Sequence, residues 1–123
     1  DSPDVPNIAG KETVEDIAFP AAFAPTSDDP VTKDFVDRYN AKFGVNPNSN
    51  AVLAYEALEI VLKGIQEAET LDGQGVRDAM AAIKDFKLPS GNFTFDENRN
   101  PIKSASIMIY KDGVPTYSTT IQP

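Results

Sequence analysis

The chain has 123 residues, enough for one domain of ordinary size or for part of a larger one. Its 41% apolar and 24% charged residues are normal for a globular protein, and 19 acidic against 11 basic side chains give a net charge of −8, which excludes broad neutralisation of phosphates on nucleic acid or on an anionic membrane. With no histidine and no cysteine, disulfides, zinc fingers, iron–sulfur clusters, thiol nucleophiles, Ser-His-Asp triads and histidine-based metal sites are excluded together.

Residues 1–13 hold two prolines, Gly10 and four charged groups, and read as a loop or tail. Val14 to Phe23 reads as a short strand with Ile17 and Phe19 on one face, Pro20 ending its ladder. Residues 24–29 are a connector. A well-punctuated helix follows: Asp29 as N-cap, Pro30 at the first helical position and Gly44 as the left-handed C-terminal residue. Val31, Phe35, Val36, Tyr39 and Phe43 form its apolar stripe, with Lys33, Asp34, Asp37, Arg38 and Lys42 on the solvated side.

After a turn-rich loop at residues 45–50, Ser49 or Asn50 can cap a second helix, from about Ala51 to Ala68. Ala51, Ala54, Leu58, Leu62 and Ile65 are expected to face inward, broadened by Val52, Leu53, Tyr55 and Val61. So wide an apolar face needs two neighbours to cover it. Gly64 inside the helix costs about 1 kcal/mol relative to alanine, and a close approach by another element would explain it. A third helix carries Asp72 as cap, a stripe of Val76, Ala79, Met80 and Ile83, and Lys84 and Lys87 near its end. Pro89-Ser90-Gly91 breaks the chain. Strands are expected at Asn92–Phe95 and Ala105–Tyr110, the first followed by a polar turn at residues 96–101. Asp112-Gly113 is a strong hairpin signal, with Val114 to Thr119 returning as an edge strand that Pro115 confines.

The longest apolar stretch, Ala51 to Leu62, is interrupted by Glu56 and Glu59, well short of the roughly 18–20 residues a membrane helix needs. The order is one strand, three helices and three short strands. That is too few strands to cover the helices, so further strands are expected from an upstream segment or a second copy.

Few constellations hint at chemistry. Asp96 to Asn100 alternates acids and amides like a calcium loop, but Pro101 and Ile107 stand where the loop needs Gly and Glu, so it reads as a polar turn. Asn92-Phe93-Thr94 fits the glycosylation pattern but lies inside an expected strand. Glu56 and Glu59 share a helix face and read as solvated acids. Gly73-Gln74-Gly75 lacks the Lys-Ser/Thr of a phosphate loop and reads as a helix-entry turn. No catalytic residue, metal ligand or cofactor site emerges.

The order of signals resembles the C-terminal portion of a type I periplasmic solute-binding protein of the branched-chain amino acid and amide class. The matching features run from Phe19-Pro20-Ala21-Ala22-Phe23, through Pro30, Phe35, Tyr39, Phe43-Gly44 and Pro47, to Ala54-Tyr55-Glu56-Ala57-Leu58. They continue with Val76-Arg77-Asp78-Ala79, then Gly91 to Asp96, then Lys111-Asp112-Gly113. The resemblance implies an α/β fold: a fragment of a two-lobed clamshell, helices followed by a C-terminal β-hairpin region. It divides the chain into a crossover strand region (1–25), a helical part (26–88) and a hinge and hairpin part (89–123), with hinge strands near Phe19–Pro25 and Leu88–Gly91. It implies an extracytoplasmic receptor of an ABC transporter, periplasmic or membrane-anchored outside the cell. Its partners would be a small polar solute and a membrane permease, with no nucleic acid and no cofactor. Ser49 and Asn50 are the implied solute contacts, Asn50 standing where relatives often carry an aromatic; a helix cap is the structural alternative for both. Two other readings stay open: the ligand-sensing ectodomain of a receptor, or an interaction module that dimerises or exchanges segments to complete its sheet.

Overall fold

The computed structural model describes residues 4–123; the first three residues of the expected N-terminal tail lie outside the described residues. The described tail is not a loop. It forms two short helices, α1 (Val5–Ala9) and α2 (Lys11–Val14), which bury Pro6 and Val14. Helices of five and four residues cannot stand on propensity, because nucleation is costly, so nothing in the local sequence announces them and tertiary packing holds them.

The chain then gives β1 (Ala18–Ala21), α3 (Pro30–Phe43), α4 (Ser49–Glu67) and α5 (Gly73–Ala81). Next come β2 (Phe86–Leu88), β3 (Gly91–Phe95), β4 (Pro101–Ile102), β5 (Ala105–Lys111) and β6 (Val114–Ile121). Pro20 does not end the β1 ladder; it lies opposite Ile107 of β5, and the edge position of β1 spares it the need for an N–H. Lys87 belongs to β2 rather than to a helical end, since α5 stops at Ala81.

The caps explain the helix boundaries. The Asp29 carboxylate accepts the N–H groups of Val31 and Thr32, and Gly44 ends α3 at φ 72°. The Asp72 carboxylate accepts those of Gln74 and Gly75. For α4 the cap is neither Ser49 nor Asn50 but Asn48, whose side chain accepts the Ala51 N–H at 2.9 Å. Asp112 and Gly113 both adopt positive φ, 54° and 75°, as the two-residue turn joining β5 to β6 demands.

Two antiparallel three-stranded sheets result, ordered β1-β5-β6 and β2-β3-β4. The first has Ala21, Ala24 and Met108 as its buried centre; α2 adjoins it, with Lys11 beside Gly113 and residues 16–17 hydrogen-bonded to Tyr110. The second belongs to a body built with α3, α4 and α5. In that body Phe23, Phe35 and Val52 pack between α3 and α4, and Ile83, Leu88 and Phe93 lie under α5. Each such buried side chain is worth about 1.5–3 kcal/mol. The chain passes between the sheets twice, through residues 22–29 and through residues 103–104.

The inward face of α4 differs from the expected one. Val52, Glu56 and Gly64 are buried, with Tyr55 and Ile60 packed beside them. Leu58, Leu62 and Ile65 are 57%, 42% and 41% exposed. α3 and α5 between them cover one side of the helix; the broad apolar side beyond them has no neighbour among the described residues. Leu88–Gly91, expected near a hinge strand between lobes, instead closes the β2–β3 hairpin within one sheet. Strands β2 and β4 were not readable from residue pattern: three and two residues are too short to show an alternation of their own.

Candidate functional site

Where the two bodies meet, a cleft of about 560 Å3 opens. Its walls include the connection and helix start at Ala24 to Thr32, the β2–β3 turn at Pro89 to Asn92, and Ser104 with Ser106, Tyr117 and Thr120 of the first sheet. The lining is rich in hydroxyls and carboxylates, which suits a polar solute more than an apolar one. Asp29 is engaged in capping α3, and Asp28 pairs with Lys33 at 2.9 Å on the open surface.

Beside the cleft lies a buried charged trio. The Glu56 residue is only 2% exposed, so the reading of it as a solvated acid is overturned. Glu56 lies one turn past Val52 on the face that α3 covers, and partners distant in sequence satisfy its charge. Its carboxylate accepts the Ser90 N–H at 2.6 Å, the Ser90 hydroxyl at 2.8 Å and the Lys103 ammonium at 2.7 Å. The Lys103 ammonium also donates to Ser90 Oγ. Next to them the buried Thr32 hydroxyl donates to the Pro89 carbonyl at 2.7 Å. The trio therefore joins α4, the β2–β3 turn and the connection between the sheets. All three side chains are engaged with one another, which ties these segments together. Sequence reasoning missed it. A glutamate four residues past a buried valine was a usable signal, but Lys103 lies 47 positions away and nothing local names it.

Ser49 and Asn50 form the first turn of α4, Ser49 half-buried and Asn50 exposed, and neither lines the cleft. The N–H groups of Gln74 and Gly75, which could have met an anion, are taken by Asp72. Asp96 folds its turn by accepting the N–H groups of Asn98 and Asn100 and the Asn100 side-chain amide. Hydrogen bonds to the ionised form hold both carboxyls below the ordinary value of 3.8, chiefly from the Gly75 backbone for Asp72 and the Asn100 backbone for Asp96. Asp16, beside the β5–β6 hairpin, pushes the Lys111 amine up through their hydrogen bond. Among the described residues no cluster of acids has the makings of a metal site, and no helix is long and apolar enough to cross a membrane.

A family model described as periplasmic binding protein matches residues 1–114. A leucine-, isoleucine-, valine-, threonine- and alanine-binding protein of Pseudomonas aeruginosa is 34% identical over 84 residues, 68% of this chain and 22% of that protein. A Leu/Ile/Val-binding protein homologue of Brucella abortus is 30% identical over 107 residues, 83% of this chain and 27% of its own length. The leucine-binding protein LivK of Thermotoga maritima superimposes on all of this chain, 100%, with a TM-score of 0.86 and 31% identity, over 35% of its own chain. The branched-chain amino acid binding protein LivJ of Streptococcus pneumoniae, solved with isoleucine, covers 99% of this chain and 35% of its own at a TM-score of 0.83 and 27% identity. The chain thus spans about a quarter of the curated relatives' length (22% and 27%) and about a third of these solved ones (35%). These likenesses make the fold that of the two-lobed type I binding proteins.

Proposed function

The chain belongs to the periplasmic binding protein family, and we propose that it is the C-terminal third of an ABC transporter's extracytoplasmic receptor for branched-chain amino acids or related small polar solutes. It works by binding, not by chemistry. The solute is held between two lobes that close by hinge motion, and the closed form is presented to the membrane permease. The receptor acts in the periplasm or anchored outside the cell, and it needs no cofactor. The observation that carries this reading is the superposition of the whole chain, both bodies together, on a leucine-binding protein. We take as lobe crossings residues 22–29 and 103–104, where the backbone passes from one sheet to the other, in place of the expected Leu88–Gly91, which pairs within one sheet. Ser49 and Asn50, at the N-terminal end of α4 and outside the cleft, are the solute contacts that the resemblance implies.

Titration calorimetry on the full-length parent tests the reading. Leucine, isoleucine or valine is expected to bind, and Ser49→Ala or Asn50→Ala to weaken binding by about tenfold, the scale of one lost hydrogen bond of about 1.4 kcal/mol. A parent with no affinity for any amino acid, amide or aromatic acid would overturn the assignment.

A second reading is favoured by one observation, the uncovered apolar side of α4. There the chain taken alone is a module that associates with a second copy of itself.

A further inference from the structure

We propose that Glu56, Ser90 and Lys103 pin the second lobe crossing to helix α4, making this corner the fixed side of the hinge. The inference rests on the closure reading above and names the residues that position the pivot. Three observations carry it. Lys103 occupies one of only two positions, 103 and 104, that link β4 of one sheet to β5 of the other. Its ammonium does not run into solvent, as a crossing lysine ordinarily would, but reaches back to a carboxylate that is 2% exposed. Ser104, the other residue of the crossing, lies across Gly91, where an added Cβ would stand 2.8 Å from Ser104 Oγ. Both residues of the crossing thus lie against the β2–β3 turn, Lys103 hydrogen-bonded to Ser90 and Ser104 close beside Gly91.

The chemistry suits a pivot rather than a glue. A buried ion pair adds little stability over an apolar pair of the same size, but its hydrogen bonds fix direction as well as distance. Glu56 accepts donors from two separate elements, so neither can slide without leaving a buried charge uncompensated. Among the described residues the first crossing has no buried charged clamp. The Tyr117 N–H donates to Thr26 Oγ1, and the links to α3 are the Asp29 cap and the exposed Asp28–Lys33 pair. Rotation therefore takes place in residues 24–28 and beyond Ser104, while Lys103 stays with α4.

The test uses the full-length parent carrying spin labels at Asp37→Cys on α3 and Ser118→Cys on β6, both exposed positions in opposite bodies. Electron–electron distance measurements are made without solute and with leucine or isoleucine as the probe. Lys103→Met is expected to broaden the solute-free distance distribution about twofold and, by thinning the closure-competent population to roughly a tenth, to weaken leucine binding about tenfold. Lys103→Arg, which keeps charge and donors, is expected to restore both. Ser90→Ala, a milder change, is expected to broaden the distribution less and carries the test should Lys103→Met not fold. A purely structural trio would lower the melting temperature while leaving the distance distribution of the folded protein unchanged, and that result would overturn the proposal. A wild-type parent whose distances ignore both amino acids would sink the closure reading instead, while the solute-free distributions still decide whether the crossing is pinned.

Discussion

At Gly64 of α4 an added Cβ would stand 2.2 Å from Met80 Cγ of α5. The glycine is there because α5 passes too close for a side chain. Two effects oppose each other in Gly64→Ala: alanine gains about 1 kcal/mol of helix propensity, and overpacking a close contact costs about 1–3 kcal/mol. The overlap involves Met80 Cγ, near the root of that side chain, so the clash is expected to win. Thermal melts should show Gly64→Ala destabilised and Gly64→Ala/Met80→Ala relieved of the clash; an alanine that stabilises the chain would show that the two helices part easily. Carboxyls at two turns make a separate claim about acid. Asp72 and Asp96 sit below 3.8 in the folded protein, so each contributes stability that is fully present above that value and lost as pH falls through its lower folded value. Melting temperature should therefore fall with pH below about 4, and Asp72→Asn or Asp96→Asn should flatten part of that fall. A slope identical in wild type and both variants would assign acid sensitivity elsewhere.

Helix α4 carries three different surfaces, and only one was legible from spacing. Val52 and Tyr55 meet α3, Gly64 and Ile60 meet α5 and the β2–β3 hairpin, and Leu58, Leu62 and Ile65 look outward. Apolar periodicity reports where a helix is greasy, not which greasy strip its neighbours reach. The bounds of α3 were legible, because Asp29, Pro30 and Gly44 agree, but its buried residues are Thr32 and Phe35, while Phe43 of the expected stripe is 56% exposed. The β5–β6 hairpin was legible for the same reason, with Asp112-Gly113 as its turn and Pro115 on an edge strand. The short elements α1, α2, β2 and β4 were not, since each holds fewer residues than one period of evidence requires.

Taken together, the described residues form three buried clusters where a self-sufficient domain would have one. The outward side of α4 adds Leu53 and Val61 to Leu58, Leu62 and Ile65, a run of exposed apolar side chains of the kind that marks an interface. Produced alone, the 123-residue chain is expected to associate through this side. Sedimentation velocity should show concentration-dependent growth in size, and Leu58→Glu with Leu62→Glu should shift the chain toward monomer. A wild-type chain that stays a compact monomer at high concentration would refute self-association.

The amino-acid order by itself determined the three long helices, their caps at Asp29 and Asp72, the terminal hairpin and the family, because each rests on residues close together in the chain. Its count of four strands fell short, since the described residues form six. Only the tertiary structure decided that Asn48 rather than Ser49 or Asn50 caps α4, that Glu56 is buried, and that Ser90 and Lys103 converge on it. Those outcomes depend on which segments meet across 34 and 47 residues of chain. A buried charge can be recognised only once the partner that compensates it has been brought into place.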